Sequence, residues 1–331
     1  MHRVPVTIVT GFLGAGKTSL VRHLLRAAAG RRIALLINEF GELGIDRELL
    51  LGCGEACPED AMIELANGCI CCTVAEDFLP ALTALLDRPG RLDHIVIETS
   101  GLALPKPLLQ AFQWPAVKAR VTVDGVVTVI DAASLEAGSR PTPAAGAAVH
   151  DDPIEEVFGD QLAASDLVLL NKIDLVADAV LPALEASLAA RLRPGVGLVR
   201  AARGAVAPLV VLGLGAAAED DLVSRPSCHD LELAHDHDDF ESFVVARGPV
   251  ADPVAFGARL AAVIASHGVL RLKGFIDVPD FGFRQVVQAV GPRVERYFDR
   301  PWRADEERQT RLVVIGLKGL DRAAIAAALA V

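Results

Sequence analysis

Aromatic side chains are scarce in this chain of 331 residues: 12 Phe, 2 Trp and 1 Tyr, or 5%. Single-stranded nucleic acids are bound largely by stacking bases on such rings, so the scarcity counts against that class of partner. Surplus positive charge is missing too. With 32 Lys and Arg against 43 Asp and Glu, the net charge is −11, which repels a polyanion. No apolar run is long enough to span a bilayer; the longest, 207–218, is broken by Pro208, Gly213 and Gly215. Arg3 followed by an apolar run has the outline of a signal peptide. That run, however, is the strand feeding the loop described next, and cleavage would destroy it. A cytoplasmic protein is therefore expected, in which the 6 cysteines are thiols or metal ligands and not disulfides.

What is present begins at Gly11. The stretch GFLGAGKTS fits G-x-x-x-x-G-K-[ST] through Gly11, Gly16, Lys17 and Thr18, between a predicted strand over 6–10 and a predicted helix over 20–29. The small residues Gly14, Ala15 and Gly16 allow consecutive N–H groups, with that of Ser19 close behind, to face one anion at the positive end of a helix. Lys17 then reaches the outer phosphates and the Thr18 hydroxyl holds Mg2+. An ordinary glycine turn has no need of a Lys-Thr pair at this offset.

A second buried-type strand, 33–37, leads into an acidic loop with Glu39, Glu42 and Asp46, where a switch carboxylate serving Mg2+ belongs; a merely solvated loop is the alternative. Next come 5 of the cysteines. Cys69, Cys71 and Cys72 form C-x-C-C behind Gly68, a soft donor set for Zn2+, Co2+ or Cu+, while Cys53 and Cys57 read equally as small hydrophobes. The strand predicted at 94–97 ends in Glu98, three residues before Gly101. In a phosphate-loop enzyme that carboxylate is placed for metal or water, and the Gly101 N–H for the terminal phosphate.

A strand over 121–132 precedes a low-complexity loop at 138–153. NKID then puts Asn171, Lys172 and Asp174 at a strand end, where an aspartate accepts two hydrogen bonds from guanine that adenine cannot supply, favouring GTP. Residues 197–206 supply a last strand and a loop near the base. Strands alternating with helices predict an α/β fold, a doubly wound, mostly parallel sheet over 1–223. A linker over 224–239 carries Cys228, His229, His235 and His237 as weak metal donors, or is simply solvated. Residues 240–331 read as a small α+β domain. Its helix is bracketed by Asp252 as N-cap, Pro253 and Gly268, and the domain shows no catalytic constellation.

Together the glycine loop, NEFGELGID, ANGCICC, VIETSG and NKID resemble the metal-handling family of P-loop GTPases that includes the urease and hydrogenase nickel-insertion proteins. LGCGEACPED, ETSGLALPKPLLQAFQWP and FDRPW resemble its members associated with aerobic cobalamin biosynthesis. The resemblance implies that Gly14, Gly16, Lys17 and Thr18 bind phosphate and Mg2+, that Glu39 and Asp46 are switch carboxylates, and that Glu98 and Gly101 serve Mg2+, water and γ-phosphate. It further implies that Asn171, Lys172 and Asp174 bind guanine, and that Cys69, Cys71 and Cys72 hold the transported metal. The implied activity is GTP-gated delivery of Co2+ to a receiving enzyme, the cobaltochelatase of corrin synthesis. Whether the metal sits in one chain or between the two of a homodimer stays open.

No Gln follows Gly101 and no arginine finger is evident, so slow intrinsic hydrolysis is expected. Three alternatives remain: a zinc carrier of the same family, a regulatory GTPase with a structural zinc, and a P-loop kinase.

Overall fold

The computed structural model describes residues 3–27, 30–38, 62–65, 78–138, 153–227, 230, 240–291, 293–304 and 306–330. Within the acidic loop, Glu39, Glu42 and Asp46 lie outside them. So do Cys53, Cys57, Cys69, Cys71, Cys72 and Cys228, and so do His229, His235 and His237. Two compact units are present.

The first unit is a parallel sheet of strands β1 (Val4–Thr10), β2 (Ile33–Asn38), β3 (Met62–Leu65), β4 (His94–Glu98), β5 (Val121–Asp131), β6 (Leu167–Asn171) and β7 (Gly197–Arg200), in the order β3-β2-β4-β1-β5-β6-β7. The near-continuous Val, Ile and Leu of the inner strands follow from burial on both faces. Alternate residues of β1 accordingly part ways. Val6 and Ile8 join a cluster with Leu82, Phe112 and Val117, while Val9 points from the opposite face and is equally buried. A further cluster joins Ile130, Leu162, Leu170 and Leu188. Helices of this unit include α1 (Lys17–Ala27), α2 (Leu79–Leu86), α3 (Pro105–Ala111) and α4 (Pro153–Ala164). Among the described residues no helix is long and apolar enough to cross a membrane.

One irregularity interrupts the sheet. The register between β1 and β5 slips at Val6 and Thr7, which pair with Val123 and Gly125, leaving Asp124 as the extra residue of a β-bulge. Its buried carboxylate accepts from the N–H groups of Gly213 (2.6 Å), Leu214 (3.1 Å) and Gly215 (3.0 Å) and from Thr7 Oγ1 (3.4 Å), which also bonds His94 Nε2 at 2.8 Å. Those donors give the buried carboxylate the hydrogen bonds without which its burial would be costly.

In the stretch read as a linker, Arg225 is 2% exposed and bonds Asp166 Oδ1 at 2.6 Å; Ser227 bonds Asp160 on α4. The chain thus remains attached to the first unit past Ser224.

The second unit is an antiparallel sheet of β8 (Phe240–Arg247), β9 (Val269–Ile276), β10 (Phe283–Val290), β11 (Arg293–Pro301) and β12 (Thr310–Leu317), ordered β11-β10-β9-β12-β8. Helices α5 (Pro253–His267) and α6 (Arg322–Ala330) bury Phe256, Leu260, Ile325 and Leu329 against Leu272, Val287 and Leu312. The expected bracket around α5 is present: Asp252 accepts from the N–H of Val254 and Ala255, both at 2.9 Å, and Gly268 ends the helix at φ +66°.

Candidate functional site

The carboxyl ends of β1, β4, β5 and β6 meet at the glycine loop. From Thr10 the chain turns through Gly11, Gly14 and Gly16 at φ +131°, +70° and +106°, angles that side chains disfavour, and enters α1 at Lys17. Packing adds a second requirement. A Cβ on Gly11 would lie 2.1 Å from the Val129 carbonyl oxygen, and one on Gly16 would lie 2.3 Å from Asn171 Nδ2. Buried Lys17 folds back so that Nζ donates to the carbonyls of Gly11 (2.7 Å) and Phe12 (3.2 Å), its ammonium held inside the loop. The helix begins three residues before the strand-and-period reading put it, because the glycines supply the turn and leave Lys17 free to start it.

Parallel pairing sets Glu98 beside Val9. Its carboxylate, 3% exposed, accepts from Thr18 Oγ1 at 2.7 Å. The residues expected to serve Mg2+ from two separate motifs are thereby in contact, and a hydroxyl beside a carboxylate is the hard-oxygen donor set this cation takes. The residues after Glu98 are tied to β1, Thr99 N–H donating to the Val9 carbonyl at 2.9 Å. Gly101 then presses on the loop, since a Cβ there would sit 2.7 Å from Leu13 N.

At the other side, Asn171 is 1% exposed and both ends of its amide are bonded to backbone. Nδ2 donates to the Ala15 carbonyl at 2.9 Å, and Oδ1 accepts from Gly204 N at 2.9 Å. In this arrangement the amide expected at guanine fixes the phosphate loop to the loop after β7. Lys172, at φ +61°, reaches Asp131 Oδ2 at 3.2 Å, while Asp131 caps the turn after β5. Asp174 is exposed, with Arg203 Nε 3.6 Å from its carboxylate.

Sequence reasoning passed over Gly204, Arg203 and Gln161. Only Gly204 left a trace, as a glycine just past the last strand; a Cβ on it would meet Leu20 N at 2.6 Å, at the start of α1. Among the described residues no group of three or more His, Cys, Asp or Glu converges as a metal site.

A glycine loop joining a central parallel strand to a helix, with hydroxyl and carboxylate paired at its rim, defines a P-loop nucleotide-binding protein. The chain belongs to the CobW/HypB/UreG family: that family's nucleotide-binding domain matches residues 5–199, and the cobalamin synthesis protein cobW C-terminal domain matches 240–331. A protein of a Sinorhizobium species named zinc chaperone CobW is 53% identical, over 99% of this chain and 96% of its own length. The Pseudomonas aeruginosa protein of the same name is 49% identical, over 98% and 90%. Zinc chaperone YjiA of Escherichia coli is 31% identical, over 96% and 95%.

Proposed function

We propose that the chain is a cytoplasmic, GTP-dependent metallochaperone that carries a divalent cation on Cys69, Cys71 and Cys72 and hands it to a receiving enzyme when GTP is hydrolysed. The observation that carries this reading is the bond from Thr18 Oγ1 to Glu98 Oε1, 2.7 Å, at the mouth of the glycine loop. It supplies the two oxygen donors that Mg2+ needs beside a triphosphate, at the end of the strand followed by Gly101. When bound, Mg2+ neutralises charge on the outer phosphates. Thr18 and Glu98 would hold it, Lys17 would turn from the loop carbonyls to the phosphates, and Asp174 would exchange Arg203 for guanine.

For the cargo, the names of the relatives at 53% and 49% identity support Zn2+. Co2+ for cobalamin synthesis, which the motifs alone favour, is the competing cation; intrinsic affinity again ranks Zn2+ higher. Thiolate sites hold Zn2+ by about 10–16 kcal/mol, too tightly for unaided release. Emptying such a site from about 99% to 1% takes roughly 5.5 kcal/mol of difference between two states, which a GTP/GDP switch can supply. Residues 240–331 act as the recognition module, and intrinsic hydrolysis is slow.

The test is competitive titration of Zn2+ against Co2+ with Mg-GTP analogue, with Mg-GDP and without nucleotide. Tightening by orders of magnitude with the analogue is expected, Zn2+ ahead of Co2+. One unchanging affinity makes the cysteines a structural site and overturns the carrier.

A further inference from the structure

Gln161, on α4, is fully buried, and its Nε2 donates to two carbonyls of the segment after Glu98: Gly101 at 3.2 Å and Ala103 at 3.3 Å. Its own helix turn is pinned, because Thr128 Oγ1 and Ser165 Oγ both donate to the Gln161 carbonyl, at 2.9 and 2.8 Å. From the other side, Gly101 has no room for even a methyl group against Leu13 of the phosphate loop. The 99–103 segment is thus held at three points: Thr99 on β1, the Gly101 backbone on the loop, and the Gly101 and Ala103 carbonyls on Gln161.

A glutamine serving only to pair two buried carbonyls would find a donor for its own oxygen as well. Here Oε1 is buried and has no hydrogen-bond partner among the described residues. Such an acceptor is costly, and each one in a native fold calls for a reason. The segment in front of it contains a donor that is poorly engaged: Leu102 N–H reaches Ser100 Oγ only at 3.4 Å. An amide whose donors are spent on this segment and whose buried acceptor is unspent fits a segment that takes a second hydrogen-bonding arrangement when that peptide turns.

We propose that Gln161 is a positioning residue through which the protein distinguishes a nucleoside triphosphate from a diphosphate. Its amide holds the Gly101 carbonyl away from the phosphate loop, so that the Gly101 N–H is directed to the terminal phosphate; Oε1 receives Leu102 N–H when the segment moves. This rests on the nucleotide reading of the preceding section and deepens it. The diphosphate makes no contact at Gly101, so its affinity does not depend on Gln161.

The experiment measures the affinity of full-length wild type, Gln161→Leu and Gln161→Met for Mg-GDP and for a non-hydrolysable Mg-GTP analogue. The expected result is GDP binding within about twofold of wild type and analogue binding weaker by about tenfold or more, within the range of ordinary coupling energies. Equal weakening of both ligands makes Gln161 a mere prop, and no weakening makes it irrelevant; either overturns the proposal. If neither variant folds, hydrogen exchange on the wild type decides. Amides of 99–104 slower to exchange with the analogue than with GDP support it, and equal exchange refutes it. A wild type that binds neither nucleotide would refute the nucleotide reading itself.

Discussion

Asn171 donates to the carbonyl of Ala15 across 156 residues of sequence, at 2.9 Å. The same amide accepts from Gly204, so one side chain at the end of β6 ties together two loops, those after β1 and β7, at one end of the sheet. Asn171→Ala leaves a buried carbonyl and a buried N–H unpaired, at about 1–3 kcal/mol each. The expected outcome is a lower melting temperature without ligand, together with weaker binding of GDP and GTP alike. Calorimetry and thermal denaturation check both.

Gly11 and Gly30 both have positive φ, +131° and +86°, but only Gly11 is crowded, its missing Cβ falling 2.1 Å from Val129 O while Gly30 has nothing within 4 Å. Gly30→Ala should cost about 1 kcal/mol. Gly11→Ala adds a clash with backbone and should cost roughly 3 kcal/mol or more. Equal denaturation midpoints for the two variants would contradict the packing described.

Burial pushes the His94 imidazole below its ordinary value; Asp124 opposes this and Arg31 reinforces it. A group that resists protonation in the fold binds more protons unfolded. Stability is therefore full above about pH 6.5 and falls as the pH drops from there toward the lowered folded value, by at most about 1.4 kcal/mol per pH unit. Chemical denaturation at pH 7.5 and at successively lower pH should show that loss in wild type and a shallower one in His94→Gln.

Thr18→Ala removes one of the two oxygen donors proposed for Mg2+. Nucleotide affinity in excess EDTA should be unchanged, whereas the gain on adding Mg2+ should shrink about tenfold or more, the loss of one charge-assisted contact. Titration of Mg2+ against a fluorescent GTP analogue measures it.

Asp174→Ala should abolish base selection. Losing two hydrogen bonds to a carboxylate weakens GTP binding about a hundredfold or more while leaving the weak ATP binding where it was. A GTP-to-ATP ratio unchanged from wild type would remove Asp174 from the base site.

What could be read in the sequence was whatever is local. The glycine loop states its own turn, and Asp252, Pro253 and Gly268 bracket α5 because capping acts within a few residues. Strand β11 gave no such sign. RVERYFDRP has no apolar period, because it pairs with β10 alone and most of its residues keep partial contact with water. Arg225 read as part of a solvated stretch since its partner, Asp166, is 59 residues earlier. Gln161 is one of four polar residues in its helix, and what it holds is 60 residues away. The bulge at Asp124 was equally hidden, since an acid among valines does not reveal that three N–H groups near residue 214 await it.

Strand β1 is the central one of its sheet, flanked by β4 and β5, both made well after it. Its neighbours end at Glu98 and Asp131. At about 5–20 residues per second, synthesis needs roughly 6–24 s to go from Thr10 to Asp131. Until Glu98 is made VPVTIVT is an apolar strand with neither partner, and until Asp131 is made it lacks one of the two. A strand written long before its neighbours is thus among the last to be fixed, and the nucleotide site at its end is complete only once the first unit has closed.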